Sequence, residues 1–262
     1  MKLGMSTATF FSKCFTEEAV LKIKELGVKN AEVFYATFSE YRPSFTKTLL
    51  KVKGDLNIRS VHALTNQFEP DLFSLNPRAQ ADCNTLFDKV ITAGGKLGAE
   101  YYTFHGPTQL KKKIYNHDYG RLASIMNVLL DKAAEKNIAI AYENVHWCFF
   151  NNPEYIKNLL PRCPKLRTVL DIKQAWLSGF DYNRYLDEMG ESLCNVHICD
   201  YDGGGKMHAP GKGTFDFKGL FKRLRSMNYN GTVMIELYAG DYDGEKGLRE
   251  CVEYLRDLGL ED

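Results

Sequence analysis

Eight short apolar runs, each followed by an amphipathic stretch, occupy almost the whole chain. That alternation limits the fold more than any other feature. The runs are KLGMSTA (2–8), NAEVFY (30–35), NIRSVHAL (57–64), AEYYTFHG (99–106), IAIAYE (138–143), LRTVLD (166–171), NVHICD (195–200) and GTVMIEL (231–237). Most are apolar at odd and even positions alike, as strands covered by helices must be. Between them, Leu122, Ile125, Met126, Leu129 and Ala133 recur at spacings of three and four, one face of a helix. Similar patterns predict a helix capped by Thr16 and ending at Gly27, one around 43–53, and one from about Asn76 to Gly94 or Gly98. Others are expected near 153–160, over 172–190 with a break at Gly179, and over 217–227. A last helix carries Leu248, Cys251, Val252, Leu255 and Leu258 on one face. Eight βα units in 262 residues predict a (β/α)8 barrel, a TIM barrel, as a single domain over 1–262. An open, doubly wound sheet is the alternative. Against it, no GxGxxG follows the first strand, and the glycines at 94–95, 98, 211 and 213 lack the strand–glycine–helix context.

Composition narrows the partners. A net charge of +1 leaves no basic stripe for nucleic acid, and KKK at 111–113 reads as a short solvated loop. The opening MKLGMSTATF has no apolar leader, and no run is as long as a membrane span. The seven cysteines are odd in number and form no CxxC, which suits free thiols in a reducing compartment. Cys194 and Cys199 are expected to pack. These features lead to the expectation of a cytoplasmic protein without membrane or nucleic-acid partners.

In a (β/α)8 barrel the C-terminal strand ends converge on one mouth, where the active site lies. Here the third to eighth runs end near His62, at His105, at Glu143, at Asp171, at His197 and Asp200, and at Glu236. Taken singly, Asp171 or Asp200 could cap the next helix and a buried histidine could be a core residue. Glu is a poor cap, so Glu143 and Glu236 need another reason. A buried carboxylate is costly unless paired or bound to a metal. Two Glu, one Asp and one His form an oxygen-rich set that favours Mn2+, Mg2+ or Co2+ over a thiolate zinc site. Phe10, Phe34, Trp147 and Tyr238 lie at or just past strand ends, where their rings could cover a sugar. DYDGGGK (200–206) and DYDGEKG (241–247) are not EF-hand loops, because their twelfth positions are Gly211 and Val252.

The ordered motifs SVHAL, YYTFHGP, AYENVHW, TVLDIKQAWLSG, NVHICDYDGGGKMHAPGKGTFDF and TVMIELY resemble the xylose isomerase-like barrel superfamily over essentially the whole chain. That group includes sugar-phosphate isomerases and epimerases, ketose 3-epimerases, inosose dehydratases and the endonuclease IV group. The resemblance implies one divalent ion, Mn2+ ahead of Mg2+, Co2+ and Zn2+, held by Glu143, Asp171, His197 and Glu236. It also implies that Glu143 and Glu236 exchange protons with a keto-sugar or sugar phosphate through an enediolate. His62 and His105 would contact substrate hydroxyls or steady the ligands, Trp147 would cover the sugar, Gln174 would also line the substrate site, and Lys173, His208 and Lys212 would meet a phosphate or carboxylate, the alternative being that Lys173 and Lys212 are surface charges. Gln174 stands where many members carry a histidine, and Lys206-Met207-His208 lacks the Asp-x-His of the nucleases. The expected partner is therefore a small sugar, with a homo-oligomer compatible. A lyase or dehydratase on a sugar or inositol derivative is the runner-up, and a DNA-repair nuclease or a non-catalytic barrel ranks lower.

Overall fold

The computed structural model describes residues 1–64, 68–109 and 116–261; the basic triplet at 111–113 lies outside the described residues. Eight parallel strands close into a barrel: β1 (Lys2–Ser6), β2 (Asn30–Tyr35), β3 (Asn57–Ala63), β4 (Tyr101–Phe104), β5 (Ala139–Glu143), β6 (Arg167–Asp171), β7 (Leu193–Ile198) and β10 (Thr232–Ile235). Two short antiparallel strands, β8 (Asp200–Tyr201) and β9 (Met207–His208), form a ribbon above β7. The register sets the mouth: Asp171 lies beside His197, Phe34 beside His62, and the Glu236 N–H donates to Ile198 O.

The helices are α1 (Thr16–Glu25), α2 (Pro43–Lys53), α3 (Pro77–Leu97), α4 (Tyr119–Ala134), α5 (Pro153–Leu159), α6 (Ile172–Leu177), α7 (Tyr182–Met189), α8 (Phe217–Ser226) and α9 (Gly244–Asp257). Their apolar faces lie on the barrel, so β2 and β7 are buried at every position. Both faces of these strands leave water, which explains the apolar runs without alternation. α3 starts where Asn76 accepts from the Arg78 N–H and ends at Gly98, whose φ of +79° suits glycine. Gly95 lies inside that helix because a Cβ there would stand 2.1 Å from Lys136 O. The expected break at Gly179 separates α6 from α7.

Several boundaries differ from expectation. β1 ends at Ser6 and passes into a 3-10 turn (Thr7–Phe10), and β4 spans only Tyr101–Phe104. Thr16 is the first helical residue of α1, and not its cap. Its hydroxyl donates to Phe34 O and to Glu40, while Glu18 accepts from the Phe15 N–H. β7 begins at Leu193, and Asp200 falls beyond it. The Asp200 carboxylate accepts from the N–H groups of Tyr201, Gly211, Gly213 and Phe215, so it ties down the loop after β7. All seven cysteines are free, and six of them, Cys194 and Cys199 included, are buried.

Candidate active site

Glu143 closes β5, Asp171 closes β6, His197 lies near the end of β7, and Glu236 follows β10. Each strand end delivers its side chain to the mouth. Two positions earlier on the same faces, Ala141 and Val169 pack with Cys194 and Tyr101 inside the barrel. On this side the interior beneath β5 and β6 is thus apolar, with ionisable groups at the strand ends. One ligand atom from each of Glu143, Asp171, His197 and Glu236 lies within 4.8 Å of all the others. His197 Nδ1 stands 3.1 Å from Glu143 Oε1 and 2.6 Å from Glu236 Oε2. Glu236 Oε2 is buried yet makes no hydrogen bond among the described residues, because the close approach to His197 lacks hydrogen-bond direction.

This set fits a divalent cation. A common centre about 2.0–2.6 Å from four oxygen and nitrogen atoms is compatible with their mutual spacing. Three carboxylates and one imidazole suit a hard or borderline ion. Without an ion the site is electrostatically crowded. Burial, reinforced by the charges of Glu143 and Glu236, pushes Asp171 up to about 7 against the pull of Lys173. At Glu143 burial also disfavours the charge, but His197 and His105 outweigh it and hold the carboxyl well below the usual range. Burial disfavours the cation at His197, yet Glu32, Glu143 and Glu236 raise it far above an ordinary histidine.

The other expected residues divide into two sets. His62 and His105 do reach the cluster. His105 Nε2 is 2.8 Å from Glu143 Oε2, and the two imidazoles meet edge to face at 4.6 Å. His62, His105 and Glu143 also form an overlapping ligand-type group. Trp147 meets His105 edge-on, and Phe34 does the same to His62. Lys173 is 3% exposed, with its ammonium 4.1 Å from the centroid of the Tyr238 ring. Gln174 donates its N–H to Asp171 Oδ1 at 2.8 Å, so Asp171 both caps α6 and joins the cluster. Phe10 instead packs in the core. His208 pairs with Asp202, and Lys212 pairs with Glu250 at 2.6 Å. His208 and Lys212 line a separate 510 Å³ cavity with Asp241 and Lys246, which none of the four clustered residues lines.

Two residues escaped the sequence reading. His146 gives its N–H and its Nδ1 to Gln174 Oε1, at 3.2 and 2.6 Å. Glu32, fully buried in β2, lies beneath the cluster with its Oε2 3.3 Å from His197 Nε2. Burial disfavours its charge, but His197 and His62 keep the carboxyl well below the usual range. The available signal was a lone acid inside the largely apolar NAEVFY.

The profile of the xylose isomerase-like TIM barrel family matches residues 20–258. The chain belongs to that family. Among curated relatives of this family member, fructoselysine 3-epimerase of Shigella flexneri is 28% identical over 100% of this chain and 99% of its own length. The crystal structure of D-psicose 3-epimerase with D-tagatose from Clostridium cellulolyticum H10 superposes with a TM-score of 0.82 at 14% identity, covering 100% of both chains. That of 3-keto-D-glucoside 4-epimerase from E. coli gives 0.79 at 18% identity over 98% of this chain and 99% of that one. These likenesses to solved structures extend the barrel fold to this chain, and the curated relative matched over nearly its whole length is a sugar epimerase.

Proposed function

We propose that this xylose isomerase-like barrel is a divalent-metal-dependent epimerase of a keto-sugar, with Glu143 and Glu236 as the proton-transferring pair. The observation that carries the reading is the convergence of Glu143, Asp171, His197 and Glu236 within 4.8 Å at the mouth. The names of the relatives, 3-epimerase and 4-epimerase, favour inversion of one carbon over aldose–ketose isomerisation. A bound Mn2+ would supply fixed positive charge against the oxygens that become anionic when a carbon next to a carbonyl loses its proton.

The chain's own residues do the rest. Glu143 and Glu236 come from β5 and β10, strands separated in the barrel by β6 and β7, and so approach from different sides. One carboxylate takes the proton and the other returns one to the opposite face. His105 holds Glu143 Oε2, which leaves less freedom for that carboxylate to turn. Trp147 and Phe34 frame the mouth beside His105 and His62 and supply apolar surface for sugar C–H groups. Gln174 fixes Asp171 through its backbone N–H and engages His146 through its side chain.

The test is turnover of Mn2+-loaded protein in D2O with fructoselysine, D-psicose and ketose phosphates as probes. Deuterium should enter at the inverted carbon, and metal analysis should find one ion per chain. Glu143→Gln and Glu236→Gln should each lower kcat by roughly 10²–10⁴-fold, the usual worth of general-base catalysis. Turnover without solvent deuterium would refute proton transfer and leave the two glutamates as ligands only.

A further inference from the structure

Glu32 projects into the barrel from the middle of β2, and its carboxylate gathers contacts from four other strands. Ser6 on β1 donates to Oε1 at 3.1 Å, Ser60 on β3 donates to Oε2 at 2.7 Å, and Thr103 on β4 donates to Oε2 at 2.6 Å. Two imidazoles complete the surround: His62 Nδ1 is 3.5 Å from Oε1, and His197 Nε2 is 3.3 Å from Oε2. An amide could satisfy three hydroxyls at much lower desolvation cost than a carboxylate. The charge is therefore explained by the two imidazoles.

We propose that Glu32 is a positioning residue: it keeps the His197 proton on Nε2, which frees the Nδ1 lone pair for the divalent ion, and it holds His62 with Nε2 presented to substrate. This rests on the metal-dependent reading above. Nδ1 is the His197 nitrogen that faces Glu143 and Glu236. A neutral imidazole offers one lone pair and carries its hydrogen on the other nitrogen. Asn195 Nδ2, 3.3 Å from Nε2, would by itself favour the opposite tautomer by donating to a bare nitrogen. Glu32 places a full negative charge 3.3 Å from Nε2 and draws the proton there more strongly than the neutral Asn195 amide opposes it, while the hydrogen that Nδ1 now shares with Glu143 Oε1 at 3.1 Å would be given up on metal binding. Both ring nitrogens of the buried His62 lack a hydrogen-bond partner among the described residues, and with Nδ1 turned to Glu32 the Nε2 atom remains for a ligand.

The experiment is calorimetric titration of Mn2+ into EDTA-stripped wild type, Glu32→Gln and His62→Gln, with circular dichroism to verify folding. Carboxylate partners of ligating histidines tune metal affinity by roughly 10–100-fold. Glu32→Gln should raise the Mn2+ Kd by that factor and also raise KM. His62→Gln should raise KM while leaving Kd within about twofold, smaller than the tuning effect. A folded Glu32→Gln protein with wild-type Kd overturns the proposal. If that variant does not fold, nitrogen NMR of the wild type loaded with diamagnetic Zn2+ decides the matter: a proton on His197 Nε2 supports the assignment, and one on Nδ1 overturns it. Wild type that takes up no divalent ion overturns the metal reading itself and this assignment with it, a result distinct from an indifferent Glu32→Gln.

Discussion

Asp171→Asn should make the metal-free protein more stable while destroying its affinity for metal. Burial and the charges of Glu143 and Glu236 raise the Asp171 carboxyl from 3.8 to about 7, with Lys173 opposing. A raised carboxyl means that the folded protein holds a proton which the unfolded chain has released. Its contribution is fully present below about pH 3.8 and is lost as pH rises through about 7. At 1.36 kcal/mol per pH unit, the raised Asp171 carboxyl costs the metal-free fold on the order of 4 kcal/mol at pH 8 and much less at pH 5, where the folded group still holds its proton. Asparagine removes the charge and keeps the cap, because its Oδ1 can still accept from the Gln174 N–H now bonded at 2.8 Å. The gain should therefore vanish near pH 4 and grow to a plateau above pH 7. Urea denaturation in EDTA at pH 4, 5 and 8 measures it, and Mn2+ calorimetry measures the opposite effect on binding. An Asn variant that gains nothing at pH 8, or that binds Mn2+ like wild type, refutes the account of Asp171 as a like-charge ligand held ready for a cation.

Lys173→Met should raise KM for the true substrate by roughly 10–100-fold, the worth of a hydrogen bond to a charged group; an unchanged KM removes Lys173 from substrate binding. The alkaline stability of the metal-free protein reports on His62, where burial opposes the cation but Glu32 lifts it from 6.5 to about 9. That contribution is fully present below pH 6.5 and lost as pH rises through about 9, so Tm in EDTA should fall across this window. His62→Gln should reduce that slope, and a variant that follows the wild-type curve would show that the Glu32–His62 contact carries no stability.

The sequence by itself determined the barrel and the composition of its mouth. Runs apolar on both parities require strands with two covered faces, and eight of them separated by helical periodicity leave few closed solutions. A strand's alternation then carries a terminal acid or imidazole onto the same face as the small interior residue two positions earlier, as with Ala141 and Glu143. Helix ends such as Asn76 and Gly98 were legible too, because capping is local chemistry. What the tertiary structure alone decided was the pairing of polar groups. Asp171 and Asp200 both follow apolar strands, yet one joins the cluster and the other fastens backbone N–H groups of its own loop. Lys173 and Lys212 are alike in sequence, but one is buried against Tyr238 and the other lies paired with Glu250 on the rim. Glu32 is the clearest instance. Its hydroxyl and imidazole neighbours come from β1, β3, β4 and β7, as far as 165 residues along the chain for His197, and only barrel closure brings them together. Periodicity is a property of neighbours in sequence, whereas satisfying a buried charge depends on neighbours in space.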